Sequence, residues 1–373
     1  MKNLFLNYCT ILIFVIVCLS FANADAQEKP VKLFSEDNII KEDQKLNKNI
    51  NVKNDDNILD KNVSVEILKP INPSSVGLID EMSGGYTRDL WLGSNLDSIQ
   101  TLISLLPSKI SSPTIQKIFR KLLLSSVDVP LGEGDPLLLL EKRISKLWSS
   151  GYVKFASDLS EIIPKPSAQQ RFSKYYIDYS FLSGDNQAAC KRVEEMFSQG
   201  NNGSYWLKNL ILCRIFSEDI ASARLAIDLL LEVSSEDKVF FSLVSNLLDN
   251  ESVTLKYSFS PSPLHIAMLR ASQLDVPTQM LYNPNPDVLK FLALTPNITM
   301  NDRLRLAHKA AVLGLLDSVS IAQIYSNIIF KSSEIDEILL SDNMEGNNLI
   351  QPLLYQLSRI QDNPETKAEA LYR

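Results

Sequence analysis

The stretch YSFLSGDNQAACKRVEEMF, residues 179–197, decides how this chain is expected to fold. An apolar, aromatic segment ends at the turn Ser183-Gly184-Asp185, and two alanines, Cys190 and a charged amphipathic segment follow. The turn residues end one helix, and small side chains early in the next helix let the two helices approach closely. We therefore interpret the stretch as the elbow of a helical hairpin.

The same pattern occurs at 150–156 and at 217–223. In each elbow a large apolar residue stands two positions before the serine and an alanine stands six positions after it, as in Trp148 with Ala156, Phe181 with Ala189 and Ile215 with Ala223. Successive alanines are 33 and 34 residues apart. A single hairpin cannot bury its own apolar face, so a repeat of this length predicts hairpins that stack on one another.

Helix-start signals continue along most of the chain. Ser94 precedes an apolar face at helical spacing, and proline follows a capping residue at 112–113, 135–136, 262–263 and 285–286. Proline suits the first position of a helix because its missing N–H would have no partner there. Alternating strand patterns are almost absent, so we predict an all-α fold with about a dozen helices.

The repeat length and the sequence Leu182-Ser183-Gly184-Asp185…Ala189 resemble tetratricopeptide-like repeats. The resemblance covers 140–235 best, although the proline that usually ends the second helix is present only as Pro164. It implies a right-handed solenoid of antiparallel helix pairs, with a concave groove that could bind protein segments. An irregular all-α domain with accidental spacing is the alternative.

The N-terminus has the pattern of an export signal, with Lys2, a nearly unbroken apolar run over 9–21 and small residues at 22, 24 and 26. The run is short for a membrane span of about 20 residues, which favours cleavage of residues 1–24 over an uncleaved anchor. No later run is long enough to cross a bilayer. The set Asn186…Cys190…Trp206-Leu207-Lys208…Cys213 is also similar to an uncharacterised family of exported helical-repeat proteins of alphaproteobacteria, which implies no activity. We therefore expect export, to the periplasm of a Gram-negative bacterium.

Residues 25–90 are expected to form a disordered or irregular polar lead. Within it, 24 of the 36 residues at 27–62 are Asn, Lys, Asp, Glu or Gln, and such a segment buries too little apolar surface to offset its ordering entropy. Order is expected from about Trp91. A helical repeat domain is expected over 91–338, and a linker with a terminal helix over 339–373, which either caps the domain or continues in a longer native chain.

The formal net charge of −7 disfavours nucleic acid as a partner, because nucleic-acid affinity comes largely from clustered lysine and arginine. The partner we expect is a protein or peptide.

Cys190 and Cys213 are the two cysteines that remain after the signal. In the repeat interpretation Cys190 lies in the first turns of one helix and Cys213 near the end of the next, so their sulfur atoms can meet. An oxidising compartment favours a disulfide between them. Two buried free thiols are the alternative, and a redox-active pair is disfavoured because such pairs are usually close in sequence.

The chain offers little recognisable chemistry. Its two histidines, His265 and His308, lie in separate helices without ligand-spaced partners, and we interpret both as packing or helix-surface residues. No phosphate-binding glycine loop or nucleophile elbow is present. The segment 132–136 is interpreted as a linker ending in a helix cap, with a calcium loop as the weaker alternative. We predict no catalytic residue, cofactor or metal.

Aromatic residues are the most distinctive candidates for contact with a partner: Tyr175, Tyr176, Tyr179, Tyr205 and Trp206. Their helical spacing fits a core stripe, and the polar tips of the tyrosines also suit a peptide-binding groove. The resulting expectation is a non-enzymatic, exported scaffold for protein–protein interaction. An enzyme with an unrecognised site, hydrolase or redox, and a structural domain of a longer envelope protein are the alternatives.

Overall fold

The computed structural model describes residues 72–373 except 165, 234–236, 254, 256–259, 296 and 339–347. The chain divides into two units, 1–67 and 68–373, and only the second contains described residues. The expected signal peptide therefore lies outside the described residues, as does the polar lead up to residue 71.

Eighteen α-helices and no strand occur in the described residues, which confirms the all-α prediction. They are α1 (Leu96–Leu105), α2 (Pro113–Leu124), α3 (Pro136–Ser149), α4 (Val153–Glu161), α5 (Pro166–Gln170), α6 (Ser173–Ser183), α7 (Asn186–Ser198), α8 (Ser204–Phe216), α9 (Ile220–Val233), α10 (Lys238–Asp249), α11 (Pro263–Ser272), α12 (Thr278–Leu281), α13 (Pro286–Ala293), α14 (Met300–Val312), α15 (Ser318–Ser326), α16 (Ser332–Glu337), α17 (Ile350–Ile360) and α18 (Pro364–Tyr372). The helices beyond the expected dozen include α5, α12 and α16, which are too short to show a helical period in sequence.

The predicted cap-proline starts open α2, α3, α11 and α13. The cap of α1 differs from the expectation, because Asn95 rather than Ser94 occupies the position and its Oδ1 accepts a hydrogen bond from the Asp97 N–H at 2.9 Å. Asparagine and serine are nearly equivalent caps, so sequence preference does not separate neighbouring candidates.

The three aligned elbows share one backbone conformation. Gly151, Gly184 and Glu218 all have positive φ, at 86°, 88° and 59°. At each elbow the N–H of this residue bonds the carbonyl three positions back, and the next N–H bonds the carbonyl five positions back; at the central elbow the distances are 3.2 and 2.9 Å. This pair of bonds closes a helix C-terminus in the Schellman arrangement. The matching alanines, Ala156, Ala189 and Ala223, are fully buried.

The later helices pack back onto the earlier ones. Helix α11 contacts α6, and α13 contacts α3 and α6, whereas in a purely linear stack each repeat contacts only its neighbours. Arg270 of α11 donates hydrogen bonds to the carbonyls of Phe181 and Leu182 at the end of α6, at 3.4 and 2.9 Å. A cation at a helix C-terminus is favoured by the helix dipole. This return packing brings the start of α11 close to α6 and α8.

The packed part of the chain begins before the expected position at Trp91. A short 3₁₀ helix, Pro73–Ser75, leads into a segment in which the N–H groups of Leu78 and Ile79 bond the carbonyl of Leu124. Arg143, 1% exposed, holds this segment from α3. Its guanidinium donates to four carbonyl oxygens, those of Leu123 (3.0 Å), Ser74 (3.4 Å), Val76 (2.9 Å) and Ser125 (2.8 Å). The segment has no periodic pattern, and the arginine that bonds its carbonyls lies far along the chain.

The C-terminal helices form a second apolar cluster. It contains Ile335 and Ile338 together with residues of α17 and Ala370 of α18, so it extends across the domain boundary expected at 338. Asn363 caps α18, and its Oδ1 accepts a hydrogen bond from the Glu365 N–H at 2.9 Å. Among the described residues, no helix has the length and apolar character that crossing a lipid bilayer requires.

Candidate functional site

The two cysteines of the predicted pair lie together. Cys190 of α7 and Cys213 of α8 have sulfur atoms 2.06 Å apart, the distance of a disulfide bond. The pair joins the beginning of α7 to the end of α8, and it lines an open surface cleft with Glu194 and Phe216.

The predicted aromatic contacts do not form one surface. Tyr175 is 7% exposed and packs against the ring of Trp148, with centroids 5.4 Å apart, so it belongs to the core. Tyr176 lies under the guanidinium of Arg192 at 4.6 Å. Tyr179 lines a small cleft of about 190 Å³ beside Tyr152.

Tyr205 and Trp206 lie in a different place. Their rings meet edge to face with centroids 5.1 Å apart. The Tyr205 hydroxyl donates a hydrogen bond to Asp178 Oδ1 at 2.9 Å. Tyr205 also lines a cleft of about 400 Å³ that none of the other four predicted aromatic residues lines.

This cleft, which we call the polar cleft, is formed by α6, α8, the residue before α10 and the start of α11. Most of its lining residues carry a polar group: Asp178, Ser204, Tyr205, Lys208, Asn209, Asp237, Ser262, Pro263, Leu264 and His265. Its volume lies within the range of ligand sites in proteins. The return packing of α11 therefore creates a concave surface from four parts of the chain that are distant in sequence.

Asp237 is the centre of the charged network in the polar cleft. As the N-cap of α10 it accepts a hydrogen bond from the Phe240 N–H at 3.0 Å, and it accepts another from Lys208 Nζ at 2.7 Å. His265 Nε2 lies 3.3 Å from Asp237 Oδ2. Burial alone would raise the pKa of Asp237, but the hydrogen bonds from His265, Lys208 and the Phe240 N–H outweigh it and hold the pKa well below its usual range.

Ser262 and His265 form a capping box at the start of α11. The His265 N–H donates to Ser262 Oγ at 3.3 Å, and the Ser262 N–H donates to His265 Nδ1 at 3.2 Å. Because Nδ1 accepts a backbone hydrogen bond, the neutral ring carries its proton on Nε2, facing Asp237. Ser262 Oγ also lies 3.0 Å from Nδ1. Serine, imidazole and carboxylate thus form a continuous chain of contacts.

This chain of contacts was missed by sequence reasoning. We interpreted His265 as a packing or helix-surface residue, and it is indeed buried, but it also contacts Asp237 at the start of a different helix. The available signal was the pair of caps, Asp237 before one helix and Ser262 before the next. Nothing in the sequence indicates that these two caps meet.

Tyr205 is hydrogen-bonded to two other residues of the cleft: its hydroxyl bonds Asp178, and its backbone carbonyl bonds Asn209. Asp178 is partly buried, and within the described part of the chain it forms no ion pair. Burial raises the pKa of Asp178 to about 7. Asn209, 1% exposed, donates from Nδ2 to the Tyr205 carbonyl at 2.7 Å, while its Oδ1 accepts no hydrogen bond from any described group.

The other chemical candidates have structural roles. His308 contacts the Tyr325 hydroxyl through Nε2 at 2.7 Å, and burial lowers the pKa of this histidine. Asp135, in the glycine-containing linker, caps α3 by accepting from the Leu137 N–H at 2.9 Å. Over the described residues, no three His, Cys, Asp or Glu side chains are grouped as metal ligands would be.

No family model matches the chain, and comparison with curated proteins and with solved structures gives no match either.

Proposed function

We propose that this chain is a non-enzymatic helical-repeat scaffold, exported to the periplasm or cell envelope, that binds a segment of a partner protein in the polar cleft. The observation that carries the proposal is the cleft itself, which is concave, about 400 Å³ in volume, and contains the predicted contact residue Tyr205. Specific sites commonly combine a concave surface with a few well-placed polar groups. A space of this size accommodates one or two side chains of a bound segment.

The proposal includes a tetratricopeptide-like, right-handed stack of antiparallel helix pairs over α3–α9. The common Schellman closure of the three elbows and the buried alanines support it. The cysteine contact supports antiparallel α7 and α8, because it joins the first turns of one helix to the last turn of the other. The described contacts of α11 and α13 then belong to a segment that folds back over this stack.

Peptide binding can be tested with an array of peptides and the purified full chain. We expect Tyr205→Ala to weaken the best binders roughly tenfold, since aromatic anchors commonly contribute more than 1 kcal/mol. Tyr179→Ala is the matched control because it removes the same side chain from another cleft. Equal loss in both variants, or none in either, would place binding elsewhere.

Export can be tested separately. Cell fractionation should recover the protein outside the cytoplasm, with the expected signal at 1–24 removed, and alkylation without reductant should label neither Cys190 nor Cys213. Recovery in the cytoplasm with both thiols labelled would contradict this part of the proposal.

A second candidate function, a serine hydrolase, is favoured by the chain of contacts Ser262–His265–Asp237. A serine nucleophile needs an adjacent base that is oriented by a third group. However, Ser262 Oγ also accepts the His265 N–H as a helix cap, and this structural role explains the contact without catalysis. Covalent labelling by a fluorophosphonate that disappears in Ser262→Ala, together with ester turnover, would favour the enzyme over the scaffold.

A further inference from the structure

Two side chains of the polar cleft, Asp178 and Asn209, have oxygen atoms that could accept more hydrogen bonds than the described residues donate to them. Asp178 receives one hydrogen bond, from the Tyr205 hydroxyl, and no described cation pairs with its carboxylate. Asn209 Oδ1 is buried and accepts none. The amide orientation of Asn209 is set by its Nδ2 donation to the Tyr205 carbonyl, so the unused atom is the oxygen. A buried acceptor without a donor is costly, and an occupant that supplies donors would remove this cost.

The charges around the cleft favour a cation over an anion. Lys208, the lysine in the lining, is already neutralised by Asp237 at 2.7 Å. Asp178 is then the acid in the lining that forms no ion pair with a lining cation, and Lys174 acts on it from outside the lining. The titratable and charged groups that face Asp178 or line the cleft with it are Lys174 on α6, Tyr205 and Lys208 on α8, Asp237 before α10, His265 on α11 and Asp287 on α13. The formal net charge of −7 adds a weak attraction for cations.

We propose that the polar cleft binds an organic cation, a guanidinium or primary ammonium group, whose N–H donors bond Asp178 and Asn209. If the proposed scaffold function holds, this group is an arginine or lysine side chain of the partner segment. A guanidinium suits the pair best, because it carries five donors in a rigid plane and can bond a carboxylate and a neutral oxygen at once.

Binding of such a cation is coupled to the ionisation of Asp178. Burial raises the pKa of this carboxyl to about 7, and the cation binds the ionised form. The ionised fraction then increases roughly tenfold between pH 6 and pH 8, and the apparent affinity increases by about the same factor. His265 contacts Asp237 rather than Asp178, so the carboxylate that the cation would pair with is that of Asp178.

The purified full chain is titrated with two cations, methylguanidine and n-butylamine, and binding is measured by NMR or calorimetry. N-methylurea serves as the uncharged probe. We expect saturable binding of the two cations at pH 8, roughly tenfold weaker binding at pH 6, and no saturation with N-methylurea. Asp178→Asn keeps the acceptor for Tyr205 and removes the charge, so it should weaken cation binding at least tenfold at pH 8. Asp228→Asn, at an exposed position on α9, is the matched control and should leave binding unchanged.

No saturable binding to the folded wild-type chain at pH 8 overturns the inference, and so does retained affinity in Asp178→Asn. Circular dichroism shows whether Asp178→Asn is folded. If this variant does not fold, the pH dependence of cation binding to the wild-type chain still tests the inference. Titration with the peptides of the array, some with and some without arginine or lysine, separates this inference from the scaffold function. If methylguanidine binds but no peptide of the array does, the cation site is supported and the scaffold is contradicted. Equal affinity for peptides with and without arginine or lysine supports the scaffold and overturns the cation site.

Discussion

Replacing Arg143 by methionine tests whether a buried arginine without an acidic partner holds the first packed segment to the helices. The guanidinium donates to carbonyls of Leu123, Val76 and Ser125 at 2.8–3.0 Å, and to Ser74 at a longer 3.4 Å. Hydrogen bonds from a charged group contribute about 1.5–3 kcal/mol each, so three good ones amount to roughly 6 kcal/mol. Arg143→Met removes them and leaves the carbonyls without their donor.

The loss is partly offset because methionine costs less to bury than a guanidinium. Burial lowers the pKa of Arg143 from its usual range to about 10, which corresponds to roughly 3 kcal/mol of unfavourable desolvation in the native state. The net expectation for Arg143→Met is therefore a loss of about 3 kcal/mol of unfolding free energy. Arg143→Lys should lose nearly as much, because a single ammonium cannot reproduce the planar fork.

The assay combines urea unfolding with amide hydrogen exchange. In Arg143→Met the N–H groups of Leu78 and Ser126, which bond across this junction, should exchange much faster, because the segment they hold is loosened. Arg224→Met is the matched control, since Arg224 lies on the surface in an exposed pair with Asp249 and should change stability by less than about 1 kcal/mol. Unfolding free energies for Arg143→Met and Arg224→Met that agree within error, with unchanged exchange at the junction, would refute the reasoning.

Three further predictions concern an elbow, the polar cleft and the cysteine pair. Gly151→Ala should lower the free energy of unfolding, measured in urea, by about 3 kcal/mol, and Gly200→Ala should lower it by only about 1 kcal/mol. Both glycines have positive φ, but a Cβ at 151 would lie 2.7 Å from a backbone oxygen of α13, whereas nothing lies within 4 Å of a Cβ at 200. Equal losses would contradict the close packing. Asp178→Asn should stabilise the protein at pH 8 by up to about 4 kcal/mol and change little at pH 4. The folded-state pKa of about 7 exceeds the usual aspartate pKa of 3.8, so the wild type loses stability as pH rises between these values. A pH-independent difference in melting temperature argues against the burial. Replacing Cys190 and Cys213 by alanine should lower stability by about 3 kcal/mol under non-reducing conditions, through the loss of a cross-link over a separation of 23 residues, and an unchanged melting curve would mean that the protein does not contain the bond.

Local features of the fold were predictable because their causes are local. The cap-proline pairs predicted the starts of four helices, and the aligned elbows share the left-handed closure that Gly151 and Gly184 favour. Even Glu218, which has a side chain, adopts this conformation. The hydrogen bonds of a Schellman closure span only a few residues, so a short stretch of sequence contains the information that determines it.

The candidate site was only partly predictable. Tyr205 was among the expected contact residues, and Cys190 with Cys213 was the expected pair. The separation of Tyr175 and Tyr179 from the polar cleft could not be anticipated, because helical spacing makes both a buried and an exposed face possible. The neighbours of His265 in sequence indicate neither metal ligation nor nucleophilic catalysis, because the carboxylate that contacts it, Asp237, caps another helix.

The amino-acid sequence by itself determined the helical class, the three elbows at 151, 184 and 218 and the cysteine pair, because periodicity, caps and turn residues act over a few neighbouring positions. Only the tertiary structure decided that α11 returns to α6, that Arg143 binds the segment before α1, and that Asp178, Asn209 and Asp237 line one cleft. These contacts join residues from distant parts of the chain, and they depend on the summed packing of many helices rather than on any local pattern.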